Sequence, residues 1–275
     1  MYQLKNIISP NFLLICIIIC SYSYVYAYEP SAKKFFQLIN SSTEVSEFLP
    51  IKRVNPAIIS QDSTFAIISE IFPYKYGISE LKPISLSVYS PLIDNFAQLK
   101  TSIYGVFNSV FNEFTVDASV GIKVSQDMAI GAELEYSRFE IARSNNYSTY
   151  GVSLGTIIKL LDWIDLGMSM KISNQYDNSK PSIQQSYLGV GIKIYEGIYS
   201  DAGFRIDFND QVCYYLRTKI VLNDLIALRV GYQSMPNSIQ VGALINISEN
   251  YSFTLNIEKS EFVYLNSFIQ LGVKL

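Results

Sequence analysis

The chain has 275 residues, of which 16% are charged and 14% aromatic, with 21 Lys and Arg against 24 Asp and Glu and no histidine. A net charge of −3 with no basic stripe excludes a nucleic-acid binder. The missing histidine removes the commonest general base and metal ligand, so His-based triads are excluded by composition.

In chain order, Lys5 precedes the apolar run of residues 12–20, and Val25-Tyr26-Ala27 offers a small-residue cleavage site. The run is short for a membrane-spanning helix, so residues 1–27 read as a cleaved signal peptide. Cys16 and Cys20 leave with it. Cys213 then stands alone, and stability must come from the fold rather than from a disulfide. Residues 28–62 carry Pro30, Pro50, Pro56 and the polar cluster Asn40-Ser41-Ser42-Thr43-Glu44. They read as an irregular N-terminal segment, periplasmic or plug-like, with one helical turn around residues 34–38.

Residues 63–275 show little but strand pattern. Phe114, Val116, Ala118, Val120 and Ile122 alternate with Glu113, Thr115, Asp117, Ser119 and Gly121. The same period of two recurs in Leu166, Met168 and Met170, in Leu216, Thr218 and Ile220, and in Ile239, Val241, Ala243 and Ile245. Only residues 98–108 leave their faces ambiguous. Side chains alternate faces along a strand, so each segment has one apolar and one polar face. About 14 strands of roughly nine to twelve residues result, the length a tilted strand needs to cross a bilayer.

The breaks are ordered too. Those at 125–127, 162–163, 196–197, 223–224 and 249–250 are tight, whereas those at 143–146, 174–181 and 234–237 read as looser. Short periplasmic turns opposite longer outer loops are the pattern of an outer-membrane barrel. A soluble sandwich also alternates, but its strands are shorter. Tyr136, Tyr199, Tyr232, Tyr251 and Tyr264 near strand ends suit interfacial aromatic girdles. The expected fold is therefore all-β, a transmembrane antiparallel barrel with its apolar face on lipid.

No catalytic constellation, metal site or cofactor motif emerges, so no enzyme is expected. Glu133 and Glu135 share a face, but in a lumen they pair with cations such as Lys123, Lys171 or Arg205. The expected lumen-lining set is Asp117, Lys123, Glu133, Glu135, Lys171, Arg205, Asp207, Arg217, Arg229 and Glu258, with Asp165, Lys193, Lys219 and Lys274 on the same side. An Arg or Lys facing lipid at mid-bilayer costs about 2–4 kcal/mol, which places them inside. Tyr187, Tyr195, Tyr215, Tyr264 and Phe268 offer an apolar trail along the lumen for a hydrophobic solute, or simply fill it.

Val54-Asn55-Pro56-Ala57-Ile58-Ile59, standing just before the first strands, resembles the Asn-Pro-Ala element of FadL/PorV/PorQ-type outer-membrane barrels. The stretch Leu225-Ile226-Ala227-Leu228-Arg229-Val230-Gly231-Tyr232-Gln233 is similar to that group as well. The Gly/Ala-rich run with paired acids that usually precedes Asn-Pro-Ala is missing, and Leu275 replaces a frequent terminal aromatic. The resemblance implies a barrel in the bacterial outer membrane, surrounded by lipid. It would pass small or hydrophobic molecules, or serve the proteins of a secretion apparatus. A structural or surface-interaction barrel with a filled lumen, and a secreted soluble β-protein that binds a ligand, are the competing readings.

Overall fold

The computed structural model describes residues 55–61, 65–74, 83–93, 96–109, 111–141, 146–175, 183–206, 211–223, 225–234, 237–248, 250–260 and 266–274. The expected signal peptide, the turn at 34–38 and most of segment 28–62 lie outside these residues, as do Asp207 and Tyr264.

A short 3-10 helix, Pro56–Gln61, precedes the strands. The first seven are β1 (Ala66–Tyr74), β2 (Ile84–Ile93), β3 (Ala97–Phe107), β4 (Phe111–Lys123), β5 (Met128–Ile141), β6 (Tyr147–Leu161) and β7 (Ile164–Gln175). There follow β8 (Ile183–Tyr195), β9 (Ile198–Ile206), β10 (Val212–Val221), β11 (Ile226–Ser234), β12 (Asn237–Asn246), β13 (Tyr251–Ser260) and β14 (Asn266–Lys274). Each pairs with its sequence neighbours, and β1 pairs antiparallel with β14 to close a 14-strand barrel. Closure leaves no unpaired sheet edge, which is what lets a sheet stand in a membrane.

The two faces are inverted relative to a soluble protein. On β5, Leu134 is 64% exposed while its neighbour Glu133 is 4% exposed. On β12 and β13, Ile239 and Val241 stand outside and Thr254 and Asn256 inside. A belt of exposed Leu, Ile, Val and Tyr around a buried polar interior is stable only against lipid. The fold is that of an outer-membrane barrel, as the alternation implied.

The five tight turns of the sequence all lie at the end where β1 begins and β14 finishes. In the turn between β8 and β9, Gly197 takes φ 81°, a left-handed conformation that a side chain disfavours. Between β10 and β11, Asn223 Oδ1 accepts from the backbone N–H groups of Leu225 and Ile226 at 3.0 and 2.8 Å. The opposite end is less uniformly loose than expected. Ser234 pairs with Asn237, so the β11–β12 link is as short as a hairpin allows. The β3–β4 turn is closed by Asn108 Oδ1 accepting from Phe111 N–H.

The structure settles the one ambiguous strand and moves Tyr199 to the other face. The ambiguous β3 turns Gln98, Lys100, Ser102 and Tyr104 inward, with Ile103 and Phe107 outside. Tyr199, expected in a girdle, lies on the inward face of β9 with the Lys219 ammonium 5.4 Å from its ring centroid. Its position next to a turn suggested an interface, but strand parity decides which face it occupies.

Candidate functional site: the inner segment and the charged lumen

Asn55 and the 3-10 helix lie inside the barrel, where Asn55, Ala57, Ile58, Ile59 and Ser60 are all buried. The local sequence builds the turn. Asn55 Oδ1 accepts from Ala57 N–H at 3.0 Å, which caps the helix start, and Pro56 supplies a preset φ at the first helical position. Ser60 Oγ closes the helix by donating to Ala57 C=O at 2.7 Å. The other end of the Asn55 amide donates to Thr156 C=O on β6 at 3.1 Å and ties the segment to the wall.

The wall has a recess shaped for it. Gly121, Gly131 and Gly155 stand directly opposite one another on β4, β5 and β6. A Cβ on Gly121 would meet Ile59 Cγ1 at 2.6 Å and Ser60 N at 2.7 Å. One on Gly131 would run into the backbone of Pro56 and Ala57, and one on Gly155 into the Asn55 side chain. Three glycines in one row thus make a shelf on which backbone rests against backbone. Apolar contacts complete the seat. Ile59 packs with Ala66 and Ile68 of β1 and Tyr89 of β2, and Ala57 and Ile58 pack with Ala129 of β5 and Ile157 of β6. Here the inward face is apolar, and the inner segment covers it.

Next to the shelf lies a layer of buried charge. Lys100 Nζ is 3.0 Å from Asp117 Oδ1, and Ser102 donates to the other carboxylate oxygen. Lys171 Nζ is 2.9 Å from Glu135 Oε2, and Ser119 Oγ donates to Glu133 Oε2 at 2.8 Å. Each pair bridges strands, so the charges also fix register across β3 to β7.

Of the expected lumen residues, Asp117, Glu133, Glu135 and Lys171 come together in this layer. Lys123 stands at the end of β4, below Gly121. Arg205, Arg217, Arg229 and Glu258 occupy the other wall, on β9, β10, β11 and β13. Arg217 lies over the Tyr215 ring, 5.8 Å from its centroid. Tyr187 and Tyr215 are buried, and Tyr187 donates to Gln185 Oε1 at 3.1 Å. Tyr195 departs from its expected place: it is 72% exposed at the end of β8, where the β8–β9 register slips between Lys193 and Tyr195. The slip breaks the parity on which the sequence assignment rested. Phe268 lies on β14 opposite Asn256. Sequence reading overlooked Lys100, since β3 has no clean alternation, and Glu70, whose carboxylate accepts from Ser85 Oγ at 2.6 Å. A lysine and a glutamate inside otherwise apolar or mixed strands were the available signal.

No family model matches the chain, and no curated protein matches it by sequence. Its fold is similar to solved structures. The Pseudomonas putida toluene transporter TodX shares 12% identity over 80% of this chain and 92% of that one, with a TM-score of 0.59. The Ralstonia pickettii toluene transporter TbuX shares 9% identity over the same fractions, with a TM-score of 0.60. A Pseudomonas aeruginosa FadL homologue covers 92% of this chain and 99% of its own at 8% identity and a TM-score of 0.56. Similarity at this identity is similarity of fold. It bears out the outer-membrane barrel fold that the sequence resemblance implied, and PorV and PorQ gain no support from it.

Proposed function

We propose that this chain is an outer-membrane channel for small solutes whose lumen is narrowed from within by its own N-terminal segment. The observation that carries the reading is the placement of Asn55, Pro56 and Ala57 on the Gly121–Gly131–Gly155 shelf inside a polar barrel. A segment held by a few contacts inside a closed barrel is a gate by position: moving it opens the path. The fold's similarity to toluene transporters and to a FadL homologue supports passage through the barrel. The described lumen wall is nonetheless rich in Ser, Thr, Gln and charged residues, which favours polar solutes over hydrocarbons. Nothing in the described residues favours a secretion accessory.

The test is reconstitution of the mature protein into planar bilayers, with and without residues 55–61. The deletion is expected to raise conductance while the barrel keeps its heat-modifiable gel mobility. A second reading, a filled barrel without transport, draws on the same buried layer of Lys100, Asp117, Glu135 and Lys171. It predicts no conductance and no solute uptake in either form.

A further inference from the structure

The barrel rim at the end of the tight turns changes character between β6 and β9. Turns 125–127, 223–224 and 249–250 carry only polar residues. The β6–β7 and β8–β9 hairpins differ, and each contains a register slip next to its turn. One slip lies between Lys159 and Leu161, the other between Lys193 and Tyr195. A bulge at a barrel rim re-aims the side chain beside it. Leu161 and Tyr195 are exposed there, next to the outward Leu160 and Ile194 of the lipid belt. Trp163 joins them at 52% exposure. Its C=O accepts from Lys193 N–H at 3.0 Å, which ties the two hairpins together.

Large apolar side chains gathered at an exposed rim mark an interaction surface. The border of this one is acidic. Asp162, whose side chain is 95% exposed, precedes Trp163, and the exposed Glu196 follows Tyr195. Lys159 Nζ meets Asp162 at 2.8 Å. Anionic headgroups attract basic segments and repel carboxylates, so the border favours a partner that is apolar and cationic over a lipid leaflet. The stretch Lys33-Lys34-Phe35-Phe36-Gln37-Leu38-Ile39, which lies outside the described residues, has that composition. Asn55 fixes how far it can go. The Asn55 amide binds Thr156 of β6, about 17 Å along that strand from Leu161. Residues 40–54 span up to roughly 50 Å when extended, so the stretch reaches the rim of the same strand with chain to spare.

We propose that residues 33–39 dock on this rim, with Phe35, Phe36, Leu38 and Ile39 covering Leu161, Trp163 and Tyr195, and Lys33 and Lys34 beside Asp162 and Glu196. Burial of apolar surface supplies the affinity, and the charges set the orientation. The docked stretch is a second anchor for the chain that enters the lumen at Asn55. The inference needs the barrel but not transport through it.

Trp163 is the only tryptophan of the chain, so its fluorescence reads the patch directly. The protein from residue 28 onward is folded into phosphatidylcholine vesicles, then quenched by acrylamide from the water side and by brominated acyl chains from the lipid side. In the wild type Trp163 should be shielded from both. Phe35→Ser and Phe36→Ser together should raise acrylamide quenching severalfold and shift the emission to the red. Each lost Phe changes the docked-to-free ratio by at least about tenfold. Phe48→Ser, nearer Asn55, should change neither readout. In a Cys213→Ser background, Phe36→Cys with Tyr195→Cys should form an intramolecular disulfide, and Phe36→Cys with Ile247→Cys, at the β12–β13 turn, should not. Heat-modifiable mobility confirms a folded barrel in each variant. Bromolipid quenching that the serine variants leave unchanged would assign the patch to the leaflet and overturn the proposal. Free acrylamide quenching in the wild type, an equal effect of Phe48→Ser, a disulfide that links two chains, or equal cross-linking to Ile247→Cys would overturn it as well. A silent bilayer recording alongside retained docking would remove the channel reading and leave this one standing.

Discussion

Replacing Gly131 by valine tests the seat of the inner segment most directly. A Cβ there runs into the Pro56 and Ala57 backbone, which cannot rotate aside as a side chain would. Overpacking of this kind costs about 1–3 kcal/mol. The seat it disturbs rests largely on Ile58 and Ile59, each 1% exposed, whose burial contributes roughly 1.5–3 kcal/mol apiece. The Asn55 amide bond to Thr156 adds about 1 kcal/mol. The perturbation is therefore a sizeable fraction of what holds the segment. A shift of about 2 kcal/mol changes the ratio of displaced to seated segment by roughly thirtyfold. The assay labels a cysteine at Ser60, which is 4% exposed in the seated state, after Cys213 has been replaced by serine. Gly131→Val should accelerate labelling by one to two orders of magnitude and raise bilayer conductance. If labelling and conductance both match the Gly131 parent while heat-modifiable mobility shows a folded barrel, the shelf does not hold the segment.

Breaking one partner of the buried pair Lys171–Glu135 strands a charge, so Lys171→Ala should cost about 3–5 kcal/mol in urea unfolding, and the Lys171→Ala, Glu135→Ala double variant distinctly less than the sum. Leu134→Arg, on the outward face of β5, should destabilise the barrel in vesicles by about 2–4 kcal/mol. Its inward neighbour Ser153→Thr should stay within about 1 kcal/mol, so equal effects would remove the lipid assignment. Gly197→Ala, at φ 81°, should cost about 1 kcal/mol, read as a lowered unfolding midpoint with no change in conductance.

The sequence by itself determined the fold class, the approximate strand number and the face of almost every strand. Those follow from a period of two, a local property that each segment carries alone. It failed where the local signal was mixed or interrupted. Residues 98–108 hide Lys100 because Tyr104 and Val106 stand on its inward face while Thr101 stands outside. Tyr195 was misplaced because a register slip is invisible in the alternation. Tyr199 was misread because nearness to a turn outweighed parity.

What only the tertiary structure decided is which inward residues meet. Register is set by hydrogen bonds between strands and by closure of β1 on β14, and no single segment encodes it. Gly121, Gly131 and Gly155 are unremarkable in their own strands, and become a shelf only when β4, β5 and β6 align them. Lys100 and Asp117, Lys171 and Glu135, and the opposed Lys219 and Arg229 are likewise products of that alignment. The Asn-Pro-Ala element was legible as a motif, but its position inside the barrel comes from contacts spanning β1 to β6. The wall chemistry was written locally, and its arrangement into a seat and a layer of paired charge was made by the closed sheet.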